Sequence, residues 1–560
     1  MHSWTVKGEG TSFTIDSVLP VHFNNLHYAV LQTKVTGASL VNAGFDGIVL
    51  KKGEAYNLSL FTKFLEGGGG KLLARLVNKN RAVLGQAIIN ISSKEWKQTS
   101  VVLVASADAS DATFELLPLA KGRLALDMIS LFPKKTFKGR SNGLRADLAQ
   151  VVADLQPRFI RFPGGCVAHG DGLANIYRWK NTIGPIEARK PQRNLWGYQQ
   201  SMGLGYYEYF QYCEDIGAEP LPVIAAGVPC QNSLGGQQGG IPMEQMDEYI
   251  QDILDLVEWA NGDASTKWGK LRAAAGHSKP FNLKYIGIGN EDQITDVFEE
   301  RFTMIYKAMK EKHPEITVIG TVGPFHQGTD YEEGWEIAAK LSVPMVDEHY
   351  YESPGWFIHN QDFYDRYDRS KSKVYLGEYA SRGNTLFNAL AEALYLTGLE
   401  RNGDVVHMSS YAPLLAKEGR TQWTPDLIYF NNREVKPTVN YEVQKLFSNN
   451  AGNEYLPVGI TLSDNQYATR KRIACSVVRD TKSGDVIVKL VNLLPVAVNT
   501  SLDLSGIAIT KKQAMKMTLK GSPTAKKANV IKTECTVSKN FDSELPPYSF
   551  TVIRIKISQP

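Results

Sequence analysis

Two glutamates stand at the ends of apolar, glycine-containing segments. Glu291 follows "KYIGIGN" and Glu378 follows "VYLG". A lone glutamate usually belongs to a surface salt bridge, but a carboxylate that ends a buried strand is costly unless it has a task. Two carboxylates around one bond suit glycoside hydrolysis, because one can protonate the leaving oxygen while the other attacks the anomeric carbon or activates water. The sequence leaves their separation open.

The segments that carry these glutamates predict a parallel sheet. Between 134 and 450, continuous apolar runs, typical of strands buried on both faces, alternate with amphipathic helices, most clearly at 244–260. Polar residues follow strand after strand and no GxGxxG occurs, which favours a (β/α)8 TIM barrel over an open nucleotide-binding sheet. A closed barrel needs eight strands, and seven are predicted: 158–165, 219–227, 283–291, 317–324, 345–351, 374–380 and 405–413.

Short β-rich runs separated by turn residues flank this region on both sides, and they predict sandwiches. The predicted organisation is a carbohydrate-binding-like β-sandwich at 1–133, a catalytic (β/α) barrel at 134–450 and a C-terminal β-sandwich at 451–560. A chain of 560 residues allows about three domains at the usual domain size.

Composition argues against several classes of protein. The net charge is only +4, and the best basic cluster, the lysines between 511 and 527, has no interleaved aromatic residues, so we expect solvated surface and no nucleic-acid partner. No run of 18 apolar residues occurs, so we expect no membrane partner. Five cysteines without a CxxC pair predict mostly free thiols.

Five short motifs together resemble the α-L-arabinofuranosidases of glycoside hydrolase family 51. They are "FPGGC" (162–166), "WKNTIGPIEAR" (179–189), "IGNE" (288–291), "DEHYY" (347–351) and "GEY" (377–379). Within that family the chain is similar to the Bacteroides type, which has an inserted carbohydrate-binding-like sandwich. The resemblance implies a retaining enzyme that releases terminal α-L-arabinofuranosyl residues from plant arabinoxylan or arabinan. Because the mechanism needs only water, no cofactor is implied.

The resemblance also implies roles for the two acids. Glu291 matches the general acid/base on the fourth strand of a complete barrel, and Glu378 matches the nucleophile on the seventh. Glu291 should then carry a proton to deliver while Glu378 stays ionised. Asn290 matches the residue that binds the sugar 2-hydroxyl, an interaction that strengthens toward the transition state.

Further residues are implied to bind substrate. Tyr351 matches the tyrosine that orients the nucleophile, His349 would hold the nucleophile's surroundings, and Trp196 would line the sugar pocket. Core packing is the alternative for His349 and Trp196. Cys166 stands where many members have asparagine and cannot supply an amide's hydrogen bonds, and Asp426 lies in the last barrel loop. No metal is predicted, because no HExxH and no second histidine at ligand spacing occur.

One departure from the family pattern concerns the beginning of the sequence. Members start with a segment of the type "FGxFFED", which supplies the first barrel strand and a sugar-binding glutamate, and this sequence starts within the sandwich. We therefore expect the first strand to be missing, which accounts for the count of seven. An endoglucanase or xylan-active enzyme of the same family, and a catalytically impaired carbohydrate-binding protein, stay open as alternatives.

Location and assembly follow from the resemblance alone. It implies a periplasmic or extracellular bacterial protein. A cytoplasmic location is the alternative, because "MHSWTVKGEG" has no signal-peptide core. Members of the family are often oligomeric, so a homo-oligomer is allowed.

Overall fold

The chain folds into two antiparallel β regions on either side of a run of alternating strands and helices. The computed structural model describes residues 3–67, 70–233, 239–507, 509 and 513–556. Lys511 and Lys512 of the predicted basic cluster lie outside these residues. No helix in these ranges is long and apolar enough to cross a membrane.

The N-terminal region is a β-sandwich, as predicted. Its strands are β1 (Trp4–Lys7), β2 (Thr11–Asp16), β3 (Tyr28–Thr33), β4 (Ser39–Asn42), β5 (Ile48–Leu50), β6 (Ala55–Glu66), β7 (Gly70–Val77), β8 (Val83–Ile91), β9 (Lys97–Val104), β10 (Ala109–Pro118) and β11 (Gly122–Pro133). One sheet has the order β1-β4-β10-β7-β8, with β5 on β10, and the other has the order β2-β3-β11-β6-β9. Alternate residues such as Leu58 and Leu60 of β6 and Leu72 and Leu76 of β7 fill the core between the sheets.

The central region alternates strands and helices. Its strands are β12 (Phe159–Phe162), β13 (Gln192–Arg193), β14 (Gln199–Gln200), β15 (Glu219–Ile224), β16 (Tyr285–Ile288), β17 (Thr317–Thr321), β18 (Met345–Glu352), β19 (Lys373–Ser381), β20 (Val406–Tyr411), β21 (Leu415–Lys417), β22 (Ile428–Phe430) and β23 (Val435–Pro437). Its helices are α1 (Ala146–Ala153), α2 (Gly165–His169), α3 (Tyr206–Ile216), α4 (Met243–Asn261), α5 (Lys267–Ala274), α6 (Asp296–Lys312), α7 (Thr329–Leu341), α8 (Pro354–His359), α9 (Leu386–Arg401) and α10 (Val439–Asn449).

Seven of these strands form one parallel sheet in the order β12-β15-β16-β17-β18-β19-β20. They are the seven predicted strands, so this part of the prediction is confirmed. Five of them end earlier than predicted, because the residues at their carboxyl ends leave the ladder for loops. These loops gather at one end of the curled sheet, where parallel α/β proteins carry their sites.

The sheet is open between its first and last strands. β12 and β20 are the two ends of the strand order, and within the described ranges no ladder joins them. Side chains of both edge strands, among them Phe159 and Met408, line a cavity that continues through this gap. The architecture is therefore a TIM-barrel sheet of seven strands with one open seam.

The C-terminal region is a second β-sandwich, as predicted. It comprises α11 (Tyr467–Arg470) and the strands β24 (Glu454–Tyr455), β25 (Gly459–Leu462), β26 (Ile473–Arg479), β27 (Val486–Asn492), β28 (Val498–Asp503), β29 (Gln513–Lys520), β30 (Val530–Thr536), β31 (Asn540–Leu545) and β32 (Ser549–Ile555). The larger sheet has the order β24-β26-β27-β32-β29-β30 and the smaller β25-β28-β31. Helix α9 is apolar on nearly all sides because it packs between the barrel and this larger sheet.

Candidate active site

The backbone around Glu378 explains why a glycine precedes it. In the pairing of β18 with β19, Glu348 lies opposite Leu376 and His349 lies opposite Glu378, so that Gly377 is an extra, bulged residue. A Cβ atom on Gly377 would lie 1.8 Å from Oδ1 of Asp347, a distance that no side chain can adopt. Bulges re-aim side chains beside active sites. Glu378 is therefore directed by a bulge inside β19, which continues to Ser381, and not by the end of the strand as predicted.

Both oxygens of Glu378 accept hydrogen bonds from protein side chains. Nη1 of Arg161 lies 2.7 Å from Oε1, and the hydroxyl of Tyr351 lies 2.6 Å from Oε2. Burial alone would raise the pKa of Glu378, but the charges of His349 and Arg161 and the Tyr351 hydrogen bond outweigh it and hold the pKa below its usual range. Glu378 is therefore ionised at neutral pH.

Glu291 follows β16 in a strained backbone conformation. Its φ is +51°, in the left-handed region that residues other than glycine rarely adopt. Such strain persists where the surroundings fix it, and it clusters at functional sites. The backbone N–H of Asn290 donates to Oδ2 of Asp292 at 2.8 Å and pins this turn. Oε2 of Glu291 accepts from Nε2 of Gln231 at 3.0 Å.

His349 lies between the two acids. Its Nδ1 is 3.0 Å from Oε1 of Glu291 and 3.8 Å from Oε2 of Glu378, and its Nε2 is 3.1 Å from Oδ2 of Asp347. Burial would lower the pKa of His349, but Asp347 and Glu378 raise it to about 10. The predicted neighbourhood of His349 was the nucleophile alone, whereas the structure places the imidazolium against both acids.

The two carboxylates are close to each other. One oxygen of Glu291, one oxygen of Glu378 and a nitrogen of His349 all lie within 4.8 Å of one another. This residue set could hold a metal ion. However, the guanidinium of Arg161 lies against Glu378, and the oxygens of both acids already accept hydrogen bonds from protein donors. The donor set fits a pair of acids better than a cation, and the absence of a metal stays a prediction.

The amide of Asn290 is fixed beside the same arginine. Its Oδ1 accepts a hydrogen bond from Nη2 of Arg161, and the residue is 1% exposed. A Cβ atom on Gly165 would lie 1.9 Å from this Oδ1. The second glycine of "FPGG" therefore provides the space in which the amide sits.

A cavity of about 1950 Å³ runs along the open seam of the sheet and reaches the carboxyl ends of the strands, where the two acids lie. Of the eight predicted site residues, all except His349 line it: Cys166, Trp196, Asn290, Glu291, Tyr351, Glu378 and Asp426. The structure thus brings together residues from β18, β19, helix α2 and three separate loops. His349 lies directly behind the cavity wall and is 1% exposed.

Two loops meet at the mouth of this cavity. The backbone oxygen of Trp196 accepts from Nε2 of Gln422 at 2.6 Å, and the hydroxyl of Tyr198 donates to the backbone oxygen of Arg420 at 3.0 Å. The ring of Trp423 packs edge-on against Tyr351 with centroids 5.2 Å apart. An aromatic wall therefore closes one side of the acid pair.

Asp426 and Cys166 supply polar groups to the cavity wall. Asp426 is 2% exposed, and its Oδ2 has no hydrogen-bond partner among the described residues. Burial raises the pKa of Asp426 to about 6. Cys166 begins the first turn of α2 and lies 3.9 Å from Nδ2 of Asn232. All five cysteines are free thiols, as predicted.

Sequence reasoning missed Arg161, Asp347 and Gln231. Arg161 had a signal, because it is the one charged residue in the apolar strand "FIRF", and a buried guanidinium needs carboxylate partners. Asp347 lies inside "DEHYY", where it shares a strand face with His349. Gln231 lies in a loop with no regular spacing, and nothing in the sequence marks it.

The family models and the curated relatives that match this chain all belong to the α-L-arabinofuranosidases. Models described as the α-L-arabinofuranosidase 1 domain and the α-L-arabinofuranosidase C-terminal domain match residues 151–369 and 366–549. An extracellular exo-α-L-arabinofuranosidase of Streptomyces chartreusis is 42% identical over 469 residues, which are 81% of this chain and 55% of that protein. α-L-Arabinofuranosidase 2 of Arabidopsis thaliana is 30% identical over 92% of this chain and 76% of its own length.

The chain is also 35% identical to the α-L-arabinofuranosidase 1 of Arabidopsis thaliana and covers 60% of its length. It therefore spans between half and two thirds of the length of these first two relatives. Among solved structures, the arabinose-bound α-L-arabinofuranosidase MgGH51 superposes with a TM-score of 0.88 at 29% identity, over 99% of this chain and 91% of that one. The Thermotoga maritima α-L-arabinofuranosidase, at 19% identity and a TM-score of 0.59 over 75% of this chain and 91% of that one, shares the fold.

Proposed function

The chain belongs to the α-L-arabinofuranosidases of glycoside hydrolase family 51, and we propose that it is a retaining enzyme that releases terminal α-L-arabinofuranosyl residues. The observation that carries the proposal is the spacing of the acids. Their nearest oxygens lie within 4.8 Å. Retaining glycosidases hold their two carboxyl groups about 5 Å apart, whereas inverting enzymes need roughly 6.5–9.5 Å to fit a water molecule between the general base and the anomeric carbon.

The reaction proceeds in two displacements. Glu378, ionised and held by Arg161 and Tyr351, attacks the anomeric carbon while Glu291 gives a proton to the leaving oxygen. The arabinosyl ester on Glu378 no longer carries the negative charge that faced His349. Glu291, now deprotonated, takes a proton from water as this water attacks the anomeric carbon and releases the sugar from Glu378.

The surrounding residues bind the sugar. The Asn290 amide, fixed by Arg161, offers its NH2 group to the 2-hydroxyl. Asp426 has a free buried oxygen that can accept from a sugar hydroxyl. Trp196 and Cys166 form part of the cavity wall around the sugar. Tyr351 and His349 position the two acids. Water is the only co-reactant.

Exo action is favoured by the closed side of the cavity. The contacts from Trp196 and Tyr198 to the loop at 420–423 block an extended chain from passing over the acids on that side. Terminal arabinosyl branches of arabinoxylan or arabinan can enter such a pocket end-on. An endo-acting glucanase or xylanase of the family would need a groove open at both ends.

The proposal also covers the location of the protein, its domain boundaries and its oligomeric state. The relative from Streptomyces chartreusis is named as extracellular, which supports export of this protein to the periplasm or medium. Division at 133/134 and 450/451 is supported by the end of β11 at Pro133 and of α10 at Asn449. A homo-oligomer is compatible with the proposal.

A second candidate function is carbohydrate binding without turnover. The open seam between β12 and β20 favours it, because Arg161 lies on edge strand β12, and a shift of this strand would release Glu378 from its donor.

Hydrolysis of 4-nitrophenyl α-L-arabinofuranoside, followed by proton NMR of the first-formed anomer, tests the proposed function. The α-anomer of arabinose as first product, and arabinose alone from arabinoxylan, would agree with it. The β-anomer would rule out retention, oligosaccharide products would favour endo action, and saturable arabinose binding without hydrolysis would favour the binding protein.

A further inference from the structure

A turn of the N-terminal sandwich, between β4 and β5, contacts the catalytic region in a strained conformation. Its residues Gly44, Phe45, Asp46 and Gly47 have φ values of +66°, +49°, +78° and +97°. In this left-handed region the Cβ atom of a side chain approaches the following carbonyl oxygen, which costs free energy. The backbone N–H of Gly47 donates to the Ala43 oxygen at 2.9 Å and closes the turn. Such strain persists where surrounding contacts fix it, and it clusters at functional sites.

The catalytic region supplies the contacts that hold this turn. Oδ1 of Asp46 accepts from Nη2 of Arg420 at 2.6 Å, and Oδ2 accepts from Nζ of Lys417 at 2.7 Å. The same ammonium lies 4.0 Å from the centroid of the Phe45 ring and donates to the Phe45 backbone oxygen at 2.9 Å. Nδ2 of Asn432 donates to this oxygen as well, at 3.0 Å. The sandwich is therefore joined to the barrel here by a carboxylate, an aromatic ring and a backbone oxygen.

The charges across this contact match. Hydrogen bonds from Arg420 and Lys417 hold the pKa of Asp46 below its usual range, so its carboxylate is ionised at neutral pH. The side chain of Lys417 is only 15% exposed, and a largely buried ammonium needs an opposite charge. Because Asp46 supplies this charge, the end of β21 depends on the sandwich for its stability.

The segment that follows β21 connects this contact to the sugar cavity. We call residues 418–427, between β21 and β22, the mouth loop. Gln422 and Trp423 of this loop line the cavity, and they lie only two and three residues after Arg420. The ring of Trp423 packs against Tyr351, whose hydroxyl donates to Glu378. A shift of Arg420 would therefore displace the aromatic wall beside the acid pair.

We propose that Asp46 is a positioning residue for sugar binding: through Arg420 and Lys417 it fixes the mouth loop and so keeps Trp423 in the wall of the sugar cavity. The sandwich then completes the sugar site from outside the barrel, without a contact from Asp46 to the sugar. The effect on sugar binding and turnover rests on the function proposed above, whereas the effect on the mouth loop does not.

Small ligands distinguish this role from polysaccharide binding by the sandwich. A sandwich that only captured polymer would change the apparent affinity for long substrates and leave small ones unaffected. Free L-arabinose and an aryl arabinofuranoside need only the cavity. An effect of Asp46 on these two ligands therefore reports the position of the mouth loop.

The first measurement is amide hydrogen exchange in the full chain, with Asp46→Asn as the variant. Asparagine has the shape of aspartate and tolerates the left-handed conformation, so the substitution removes the charge and keeps the turn. Peptides that cover the mouth loop should exchange faster in Asp46→Asn than in the parent. Glu66→Ala, which removes a salt bridge to Arg123 within the sandwich, is the matched control and should leave this exchange unchanged. Unchanged exchange in Asp46→Asn, or equal acceleration in both variants, would overturn the proposal.

The second measurement separates binding from chemistry. In Asp46→Asn the Kd for L-arabinose should rise about 2- to 5-fold, the size expected for an exposed ion pair. The KM for 4-nitrophenyl α-L-arabinofuranoside should rise by the same factor while kcat stays constant. Because salt screens exposed charges, added NaCl should raise the KM of the parent and leave that of Asp46→Asn constant. A lower kcat at unchanged KM, or equal salt dependence in both proteins, would contradict the positioning role.

A double-mutant cycle tests whether Asp46 acts through Arg420. Arg420→Met removes the guanidinium and leaves the backbone of the mouth loop intact. If the two residues act together, the double variant should lose less affinity for L-arabinose than the product of the two single losses. Losses that multiply exactly would show that the residues act independently and would overturn the proposed route.

Hydrogen exchange needs no turnover, so the two proposals fail separately. Faster exchange of the mouth loop in Asp46→Asn, in a chain that does not hydrolyse arabinofuranosides, would sustain the positioning of the loop and remove the proposed function. Hydrolysis by the parent, with the same exchange in the parent and Asp46→Asn, would do the reverse.

Discussion

The hydroxyl of Tyr351 lies 2.6 Å from Oε2 of Glu378 and donates to it. This contact spans two neighbouring strands, and the bulge at Gly377 makes it available by turning Glu378 toward the face of β18 that carries Tyr351. The proposed nucleophile is therefore oriented by a neutral donor on one oxygen and by the Arg161 guanidinium on the other.

Replacing Tyr351 with phenylalanine should lower kcat/KM without unfolding the protein. A hydrogen bond to a charged group contributes about 1.5–3 kcal/mol, which corresponds to roughly 10- to 150-fold in rate. Steady-state kinetics on an aryl arabinofuranoside measures this loss of kcat/KM. Tyr306→Phe, which removes a hydrogen bond to the Ser342 carbonyl far from the cavity, is the matched control and should leave kcat/KM unchanged. Equal losses in both variants would contradict the orienting role.

Removing the charge of Arg161 should shift the acidic limb of the pH profile. Arg161 helps to hold the pKa of Glu378 below its usual range, and Glu378 must be ionised to attack. In Arg161→Met the pKa of Glu378 should therefore rise, and activity should be lost at higher pH than in the parent. A neighbouring arginine accounts for about 1–3 pKa units. The acidic limb of kcat/KM measures the shift.

Arg382→Met is the control for this profile. Arg382 also lines the cavity, but it donates to the backbone oxygen of Tyr351 and forms no salt bridge with a carboxylate of the described residues. In this variant the acidic limb of the kcat/KM profile should lie at the same pH as in the parent. An unshifted limb in Arg161→Met would mean that Arg161 does not set the ionisation of Glu378.

Adding a methyl group at Gly377 should disrupt the site. Its Cβ atom would lie 1.8 Å from Oδ1 of Asp347, so β18 and β19 would have to separate. Gly377→Ala should lower both activity and the thermal unfolding midpoint. Gly506→Ala is the control, because no atom of the described residues lies within 4 Å of its Cβ position and its φ is not in the left-handed region. Full activity in Gly377→Ala would show that the bulge does not direct Glu378.

His349 should stabilise the fold in a pH-dependent way. The pKa of His349 is raised from an ordinary 6.5 to about 10, so the folded state holds the proton more tightly than the unfolded state. Its contribution is fully present below pH 6.5 and is lost as pH rises through about 10. The difference in free energy of unfolding between the parent and His349→Gln should therefore shrink across this range. Denaturant titrations from pH 6 to 10 measure it, and a constant difference would contradict a charged His349.

Periodicity and residue type were enough to predict the sheet. The seven apolar runs between 158 and 413 became seven parallel strands, and the two glutamates came together because both lie on the carboxyl-terminal side of one curled parallel sheet. The carboxyl ends of the strands could not be predicted, since the ladder breaks where Gly289 and Pro163 turn the chain into loops.

The donors that tune the acids were harder to predict. Arg161 contacts Glu378 and Asn290 across the sheet, and pairs that are distant in the chain leave no spacing pattern. The position of Glu378 within β19 depends on a bulge, which a run such as "VYLGEYA" does not reveal.

The most direct test of the account traps the intermediate on Glu378. In Glu291→Ala the second displacement lacks its base, a contribution of about 100- to 10,000-fold, whereas an aryl arabinofuranoside with a good leaving group needs no acid. Incubation with such a substrate, digestion and peptide mass spectrometry should show one anhydro-arabinosyl group on Glu378. An unlabelled Glu378 after release of the aryl group, or a label on another residue, would contradict the assignment of the two acids.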